Sequence, residues 1–410
     1  MKCRHCTTPL HAQHDVFIDL GSAPPSNAFL DAAALHRAES WFPLKVLACP
    51  ECGLVQVDEV QRHDALFSDD YVYFSSYSAS WLAHARAYVD RVVPRLGLNS
   101  RSRVMEVASN DGYLLQYLQQ RDIRCVGVEP TESTARVARM RGIESIGEFF
   151  GLDFARRFVA ERGRCDLVLG NNVLAHVPDI NDFVAGLREV LAPGGTLTLE
   201  FPHLLQLVRH AQFDTIYHEH FSYLSLRTVQ RVLQARGLQL WDVEELATHG
   251  GSLRVWGQHA AHPRAASRSV AELLACEAAA GVGGREFHAG LQQRAEHIKD
   301  ELLRFLIDCR QRGQRVIGYG AAAKGNTLLN FAGVRPDLLS CVVDASPHKQ
   351  RRFLPGSRIP VFEPQRLLEQ RPHFVLILPW NLRDEIVAQL PQVRGWGGRF
   401  VTAVPELRID

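Results

Sequence analysis

Residues 214–223 read Asp-Thr-Ile-Tyr-His-Glu-His-Phe-Ser-Tyr, and Tyr217, His218, Glu219 and His220 put four titratable or hydrogen-bonding side chains side by side. Imidazole accepts a proton near neutral pH, and a neighbouring carboxylate orients it or raises its pKa. A phenol donates to a developing oxyanion. These are the groups needed to take a proton from beside a carbonyl and to stabilise the enolate that forms. Two other readings stand beside this one. The cluster can be a solvated or structural feature, or His218 and His220 can share a metal, although no third ligand is evident nearby. His176 is a candidate to join the cluster, because it follows a strand at the carboxyl edge where α/β sheets place their chemistry. Tyr71 is another, in the aromatic, hydroxyl-rich stretch 70–77. Such runs are more often packing, and only its place at a domain junction, where ligand pockets form, raises it.

Cysteine carries the second chemical signal. Cys3-x-x-Cys6 and Cys49-x-x-Cys52 each place two sulfurs on one tight turn. Two such knuckles converging give four thiolates at the corners of a tetrahedron, as structural zinc requires. Free core cysteines or redox pairs are the alternatives. Four protein ligands leave no open position, so a catalytic metal is not expected, and His5 is a bystander. The long gap between the pairs calls for a β-rich module between them. Cys125, Cys165, Cys276, Cys309 and Cys341 sit singly among apolar neighbours and read as packing residues.

The third signal is a loop. Residues 103–107 form a buried strand that runs into Ala108-Ser109-Asn110-Asp111-Gly112, where backbone must approach a ligand before a helix begins near Tyr113. Nucleotide loops usually hold several glycines here. This one has Gly112 alone, with Ala108 and Asn110 at places where glycine is often found. The next strand, 125–129, ends in Glu129-Pro130, and an acidic side chain there can accept both ribose hydroxyls. Nicotinamide folds and class I methyltransferases share these features. After a short third strand near 144–146, the fourth strand, 165–170, runs into Asn171-Asn172-Val173-Leu174-Ala175-His176, and a Pro193-Gly194-Gly195 turn precedes a fifth strand, 196–201. That succession resembles the class I methyltransferase fold.

A fourth segment, Val316-Ile317-Gly318-Tyr319-Gly320-Ala321-Ala322-Ala323-Lys324-Gly325-Asn326-Thr327, reads as strand, glycine turn and helix start. Amides at a helix start favour anions, and Lys324 adds a point charge. The spacing is not that of an ATP-binding P-loop. Asp344 ends the next strand, where a ribose-binding acid would sit. The alternatives are a nucleotide or diphosphate contact and plain helix–strand packing. His249-Gly250-Gly251-Ser252-Leu253-Arg254 is a further glycine turn beside a cation.

Elements must position these groups. Residues 1–75 read as short strands and loops around the cysteine pairs. Residues 77–98 carry apolar positions at helical spacing, and strand–helix alternation from 103 implies a parallel sheet covered on both faces. An Ala-rich helical segment, 265–312, breaks at 281–284 and leads into a second, smaller α/β unit. The expected division is 1–75, 76–258 and 259–410. With 410 residues, 46% hydrophobic, 22% charged and 9% aromatic, the chain suits folded domains rather than disorder. Forty-six basic and 45 acidic side chains leave a charge of +1, with no general pull toward nucleic acid or acidic membranes. No apolar stretch of about 20 residues is present to span a membrane. The N-terminus lacks a signal-peptide core, so the cytoplasm is the expected location.

Taken together and in order, the four zinc cysteines, Glu106-Val-Ala-Ser-Asn-Asp-Gly112, Asn171 to His176, Tyr217-His-Glu-His220, His249-Gly-Gly-Ser252 and Gly318-Tyr-Gly-Ala-Ala-Ala-Lys-Gly-Asn326 resemble the S-adenosylmethionine-dependent sugar C-methyltransferases that act on nucleotide-linked ketosugars. The resemblance spans nearly the whole chain. It implies an α/β protein with a small N-terminal zinc-binding domain, a class I methyltransferase Rossmann-like core and a C-terminal Rossmann-like domain that helps hold the nucleotide sugar. It implies carbon methylation, commonly at C-3, beside a 4-keto group. His220 would remove the C-3 proton, while Tyr217, Glu219, His176 and Tyr71 would position the sugar or stabilise the enolate. Glu129 would hold the cofactor ribose, with Glu106, Ala108, Asn110, Asp111, Gly112, Pro130, Asn171 and Asn172 completing that site. Tyr77, His249, Lys324 and Asn326 would contact the substrate, and Cys3, Cys6, Cys49 and Cys52 would bind structural Zn2+. The expected assembly is a monomer or dimer. The competing classes are an NAD-dependent nucleotide-sugar oxidoreductase, disfavoured by the glycine-poor loop, and an inactive zinc-dependent scaffold, disfavoured by the intact Tyr-His-Glu-His cluster.

Overall fold

A run of apolar residues makes Arg103–Val107 a strand buried at every position after Arg103. Parallel strands Arg124–Val128 and Cys165–Asn171 flank it. They belong to a seven-stranded sheet with the order Leu238–Leu246, Ser252–His259, Leu191–Pro202, Cys165–Asn171, Arg103–Val107, Arg124–Val128, Ser145–Ile146. The last five run parallel and the first two form an antiparallel edge. Chain order reverses on either side of Arg103–Val107, so the crevice beyond its carboxyl end is where an open α/β sheet binds its ligand. The computed structural model describes residues 1–58 and 74–410. Tyr71 lies outside the described residues.

The helix anticipated over 77–98 spans Ala79–Leu96. The Ser78 side chain caps it by accepting the Trp81 amide, and Gly97 closes it at φ 64°. Its buried stripe is Trp81, Ala85, Tyr88, Val89 and Val92. The helix expected from Tyr113 begins at Leu115. The Pro193-Gly194-Gly195 turn lies within its strand and does not precede it. The strand starts at Leu191 and the turn bulges within it: Cys165 pairs with Leu191, yet Leu167 pairs with Thr196.

The N-terminal module is a four-stranded antiparallel sheet, Val16–Ala23, Phe42–Ala48, Val55–Val57 and Ser222–Tyr223. Its fourth strand comes from just past the Tyr-His-Glu-His segment, with Tyr223 opposite Val55. The C-terminal unit is a six-stranded sheet centred on Val316–Tyr319, parallel except for the edge strand Arg408–Ile409. Helices Arg268–Ala279 and Leu291–Gln311 lead into it. One apolar core joins the first module to the last, packing Phe17 and Leu44 with Leu204, Phe213, Leu302, Leu329 and Leu376. Each such side chain contributes about 1.5–3 kcal/mol on burial. Among the described residues no helix is long and apolar enough to cross a membrane.

Candidate active site

A cavity of about 700 Å³ opens at the carboxyl end of Arg103–Val107 and extends to the start of the helix Ala323–Phe331. Such a volume suits a cofactor together with a substrate group. At one end lies the loop 108–112. Ala108 and Asn110 have φ of 57° and 49°. They hold the left-handed conformation that glycine usually supplies, which is how the loop turns with Gly112 alone. The Glu129 carboxylate accepts the Asn110 amide at 2.9 Å and the Thr131 amide at 2.9 Å, fixing it at the cavity wall. Burial pushes its pKa up against those bonds. Pro130, Asn171 and Asn172 line the same end, as do Phe149 and Phe150. These residues fit S-adenosylmethionine: a fixed carboxylate for the ribose, aromatic rings for a purine, and close-approaching backbone for the amino-acid end.

The same lining holds a group of titratable side chains. Tyr217, His220 and His176 line it. His220 Nδ1 lies 2.8 Å from the Thr215 carbonyl, so Nδ1 carries the proton and Nε2 is the acceptor. The Tyr217 hydroxyl donates to that Nε2 at 2.7 Å. The His176 ring stands edge-on to the His220 ring, with centroids 4.6 Å apart, and its Nδ1 donates to the Glu219 carbonyl at 2.8 Å. Burial, then the neighbouring His176, holds His220 well below the ordinary histidine value. Burial lowers His176 to about 4. Both rings are therefore neutral at pH 7, which suits a base.

At the far end, Lys324 donates to Asn381 Oδ1 at 2.6 Å and lies 4.6 Å from the Trp380 ring centroid. Burial lowers its pKa while Asp214 opposes the shift. Lys349 lines the cavity as well and donates to the Ala321 carbonyl at 2.8 Å. Gly320 turns at φ 86°, and a Cβ there would meet Pro379 Cδ at 2.5 Å, so glycine is required. The Asp344 carboxylate is committed to the Ala321 and Ser346 amides at 2.7 and 2.8 Å. His249, at φ 54°, accepts from Asn172 Nδ2 at 3.0 Å and also faces the cavity.

Several anticipated contacts lie elsewhere. The Glu219 carboxylate is 1% exposed and accepts the Asn27 amide and Asn27 Nδ2 at 3.1 and 3.2 Å. It stands behind the wall, and Asn27 is the residue that faces the cavity. Asn326 donates to the Ser26 carbonyl at 2.6 Å and is likewise a buried tie to the N-terminal module. Tyr77 is exposed on the outside, where its hydroxyl meets His348 at 3.3 Å. Asp111 turns back to the Ser76 hydroxyl and Arg141. Glu106 is fully buried beneath the loop, and burial raises its pKa well above the usual carboxylate range. Gly112 serves the turn, at φ 78°, with Ile143 closing over it. Sequence reasoning did not single out Asn27, Trp81, Lys349 or Asn381, because only the folded chain brings them to the cavity.

Remote from this cavity, the sulfurs of Cys3, Cys6, Cys49 and Cys52 all lie within 4.8 Å of one another. A tetrahedral site with Zn–S near 2.3 Å spaces sulfurs about 3.8 Å apart, so the four fit zinc. The His5 ring is engaged elsewhere, its Nδ1 meeting Asn181 Oδ1 at 2.9 Å. Of the five other cysteines, Cys165, Cys309 and Cys341 are buried, whereas Cys125 and Cys276 are half-buried.

Comparison with known proteins agrees with this layout. Residues 3–67 match a zinc binding domain, 81–243 a methyltransferase domain, and 247–405 a C-methyltransferase C-terminal domain. The nicotinamide alternative has no support among these matches. Among solved structures, the chain is similar to the PH0226 protein of Pyrococcus horikoshii, at 16% identity and TM-score 0.38 over 46% of this chain and 95% of that one. It is also similar to magnesium protoporphyrin IX methyltransferase of Synechocystis with bound S-adenosylmethionine, at 15% identity and TM-score 0.32 over 43% and 80%. C-methyltransferase NovU of Streptomyces niveus is 34% identical over 411 aligned positions, 100% of this chain and 96% of the relative. With that full-length likeness and the three matched units in order, the chain belongs to the S-adenosylmethionine-dependent C-methyltransferases.

Proposed function

We propose that the carbon methylated is C-3 of a nucleotide-linked 4-ketosugar, and that His220 is the base that makes it nucleophilic. The observation that carries this is the shared cavity: Tyr217, His220 and His176 line it together with the Glu129 loop and with Lys324 and Lys349. A C–H must be acidified before carbon can attack, and an adjacent keto group does that. The keto oxygen draws the Tyr217 O–H away from His220 Nε2, freeing that nitrogen for the C-3 proton. The phenol then stabilises the enolate oxygen, while the Thr215 carbonyl steadies the imidazolium through Nδ1–H. Bound at the Glu129 end, S-adenosylmethionine supplies an electrophilic methyl group. The enzyme's part in that step is alignment. Lys324, Lys349 and the amides at the start of Ala323–Phe331 suit the diphosphate. Near-neutral net charge makes that attraction a local one. The division at 1–75, 76–258 and 259–410 belongs to the same reading.

The test is a screen of thymidine-, guanosine-, uridine- and cytidine-diphosphate 4-ketosugars with S-adenosylmethionine, read by mass. A gain of about 14 daltons, one CH₂, placed at C-3 by fragmentation supports the assignment. No mass gain with any of these sugars, or a gain placed at another atom, would overturn it.

A further inference from the structure

We propose that one enclosed water lies behind His220, and that His203, fixed by Glu277, holds this water and thereby positions the base. The inference rests on His220 being that base. A second cavity, of about 20 Å³, is lined by His220, Thr215, Ser222, Tyr223 and His203. A cavity needs roughly 10–15 Å³ and two to four polar partners to hold one water. This one has the partners. His203 Nδ1 and Ser222 Oγ have no hydrogen-bond partner in the protein, although both residues are 1% exposed. Burying a polar atom unpaired is costly, and both belong to residues in the wall of the same small space.

The pair behind it is rigid. His203 Nε2 donates to Glu277 Oε1 at 2.7 Å, which leaves Nδ1 as a lone-pair acceptor facing a donor it does not find in the protein. Glu277 is fully buried and also accepts the Leu226 and Arg227 amides at 2.6 and 2.9 Å. It is thereby locked to the first turn of the helix Leu226–Gln234. His203 follows the strand Leu191–Pro202, and its own amide bonds the Gly251 carbonyl at 3.0 Å. A water donating to His203 Nδ1 and accepting from the Ser222 hydroxyl fills the space beneath the His220 ring. It also lies beside Thr215, whose carbonyl sets the His220 tautomer. The ring then cannot tilt into the cavity and lose its Nε2 alignment. His203 touches no substrate.

A high-resolution crystal structure of the full chain should show one ordered water in this space, and a dry cavity overturns the proposal. In His203→Phe, kcat should fall by roughly tenfold to a hundredfold, the effect of displacing a reacting group by up to an ångström, with KM and cofactor affinity unchanged. His203→Asn, whose amide oxygen restores an acceptor near the Nδ1 position, should recover part of the loss. If His203→Phe fails to fold, Ser222→Ala carries the test through a weaker water peak and a smaller fall in kcat. Wild-type kcat in the folded variants refutes the positioning role. The occupied cavity can be seen whether or not His220 is the base, so its failure is distinct from failure of the proposed chemistry.

Discussion

Removing the Tyr217 hydroxyl alone separates a catalytic phenol from a packing one. In Tyr217→Phe the ring stays against His220, where the centroids are 3.9 Å apart, and only Oη, 2.7 Å from Nε2, is lost. In the resting protein that removes one hydrogen bond at a half-buried site, about 1 kcal/mol. In the transition state it removes the donor to the enolate oxygen, a loss of about 10²–10³-fold in kcat, or roughly 3–4 kcal/mol. The two magnitudes differ enough to be told apart. Unfolding by denaturant should show a small change, calorimetry should show unchanged cofactor affinity, and methyl transfer should be slower by two to three decades. Deuterium exchange at the carbon beside the keto group, run with S-adenosylhomocysteine in place of the methyl donor, should slow in parallel. A turnover close to wild type, or a loss confined to KM, would refute the enolate role and leave Tyr217 as a packing residue.

His220→Asn should abolish that same exchange and lower methyl transfer by about 10²–10⁴-fold, the usual contribution of a positioned base, with cofactor binding retained. Near-normal turnover would remove His220 from the role. The acid limb of kcat/KM should fall well below pH 6.5, because burial and His176 lower the His220 pKa and the neutral, proton-accepting ring persists as pH drops. A limb at or above 6.5 contradicts this. Glu129→Gln leaves one of the two amides at Asn110 and Thr131 facing a donor, so S-adenosylmethionine should bind roughly tenfold more weakly by calorimetry. Unchanged affinity argues against the ribose contact. Cys49→Ser should release zinc and lower stability, by metal analysis and thermal unfolding, and a metal-free chain of normal stability would overturn the assignment.

Much of the fold was legible because it rests on local pattern. Apolar runs ending in turn residues located Arg103–Val107 and Val316–Tyr319, and tight cysteine spacing located the zinc knuckles. The pairing of Tyr217 with His220 was legible because three residues of separation bring the two side chains together on one turn. Roles set by long-range contacts were not. Glu219 and Asn326 carry suitable functional groups, but each is committed to the 26–27 loop, some 190 to 300 residues distant in sequence. Lys349 and Asn27 have no local motif and reach the cavity only through tertiary packing. The Pro-Gly-Gly segment was misjudged because a bulge and a turn use the same residues, and only strand register tells them apart.

The strand Ser222–Tyr223 completes the sheet of the zinc module from far along the chain. During synthesis, Val55 therefore waits for a partner some 165 residues behind it, an interval of about 10–30 s at ribosomal speed. Through that interval the knuckles can already hold metal while one edge of their sheet stays open. Chaperones that shield strand edges, and the supply of zinc to the nascent chain, are thus the cellular factors to which the yield of this enzyme should be most sensitive. A proline at Ser222 or Tyr223, which cannot donate to the sheet ladder, should register first as insoluble product and only second as lost turnover.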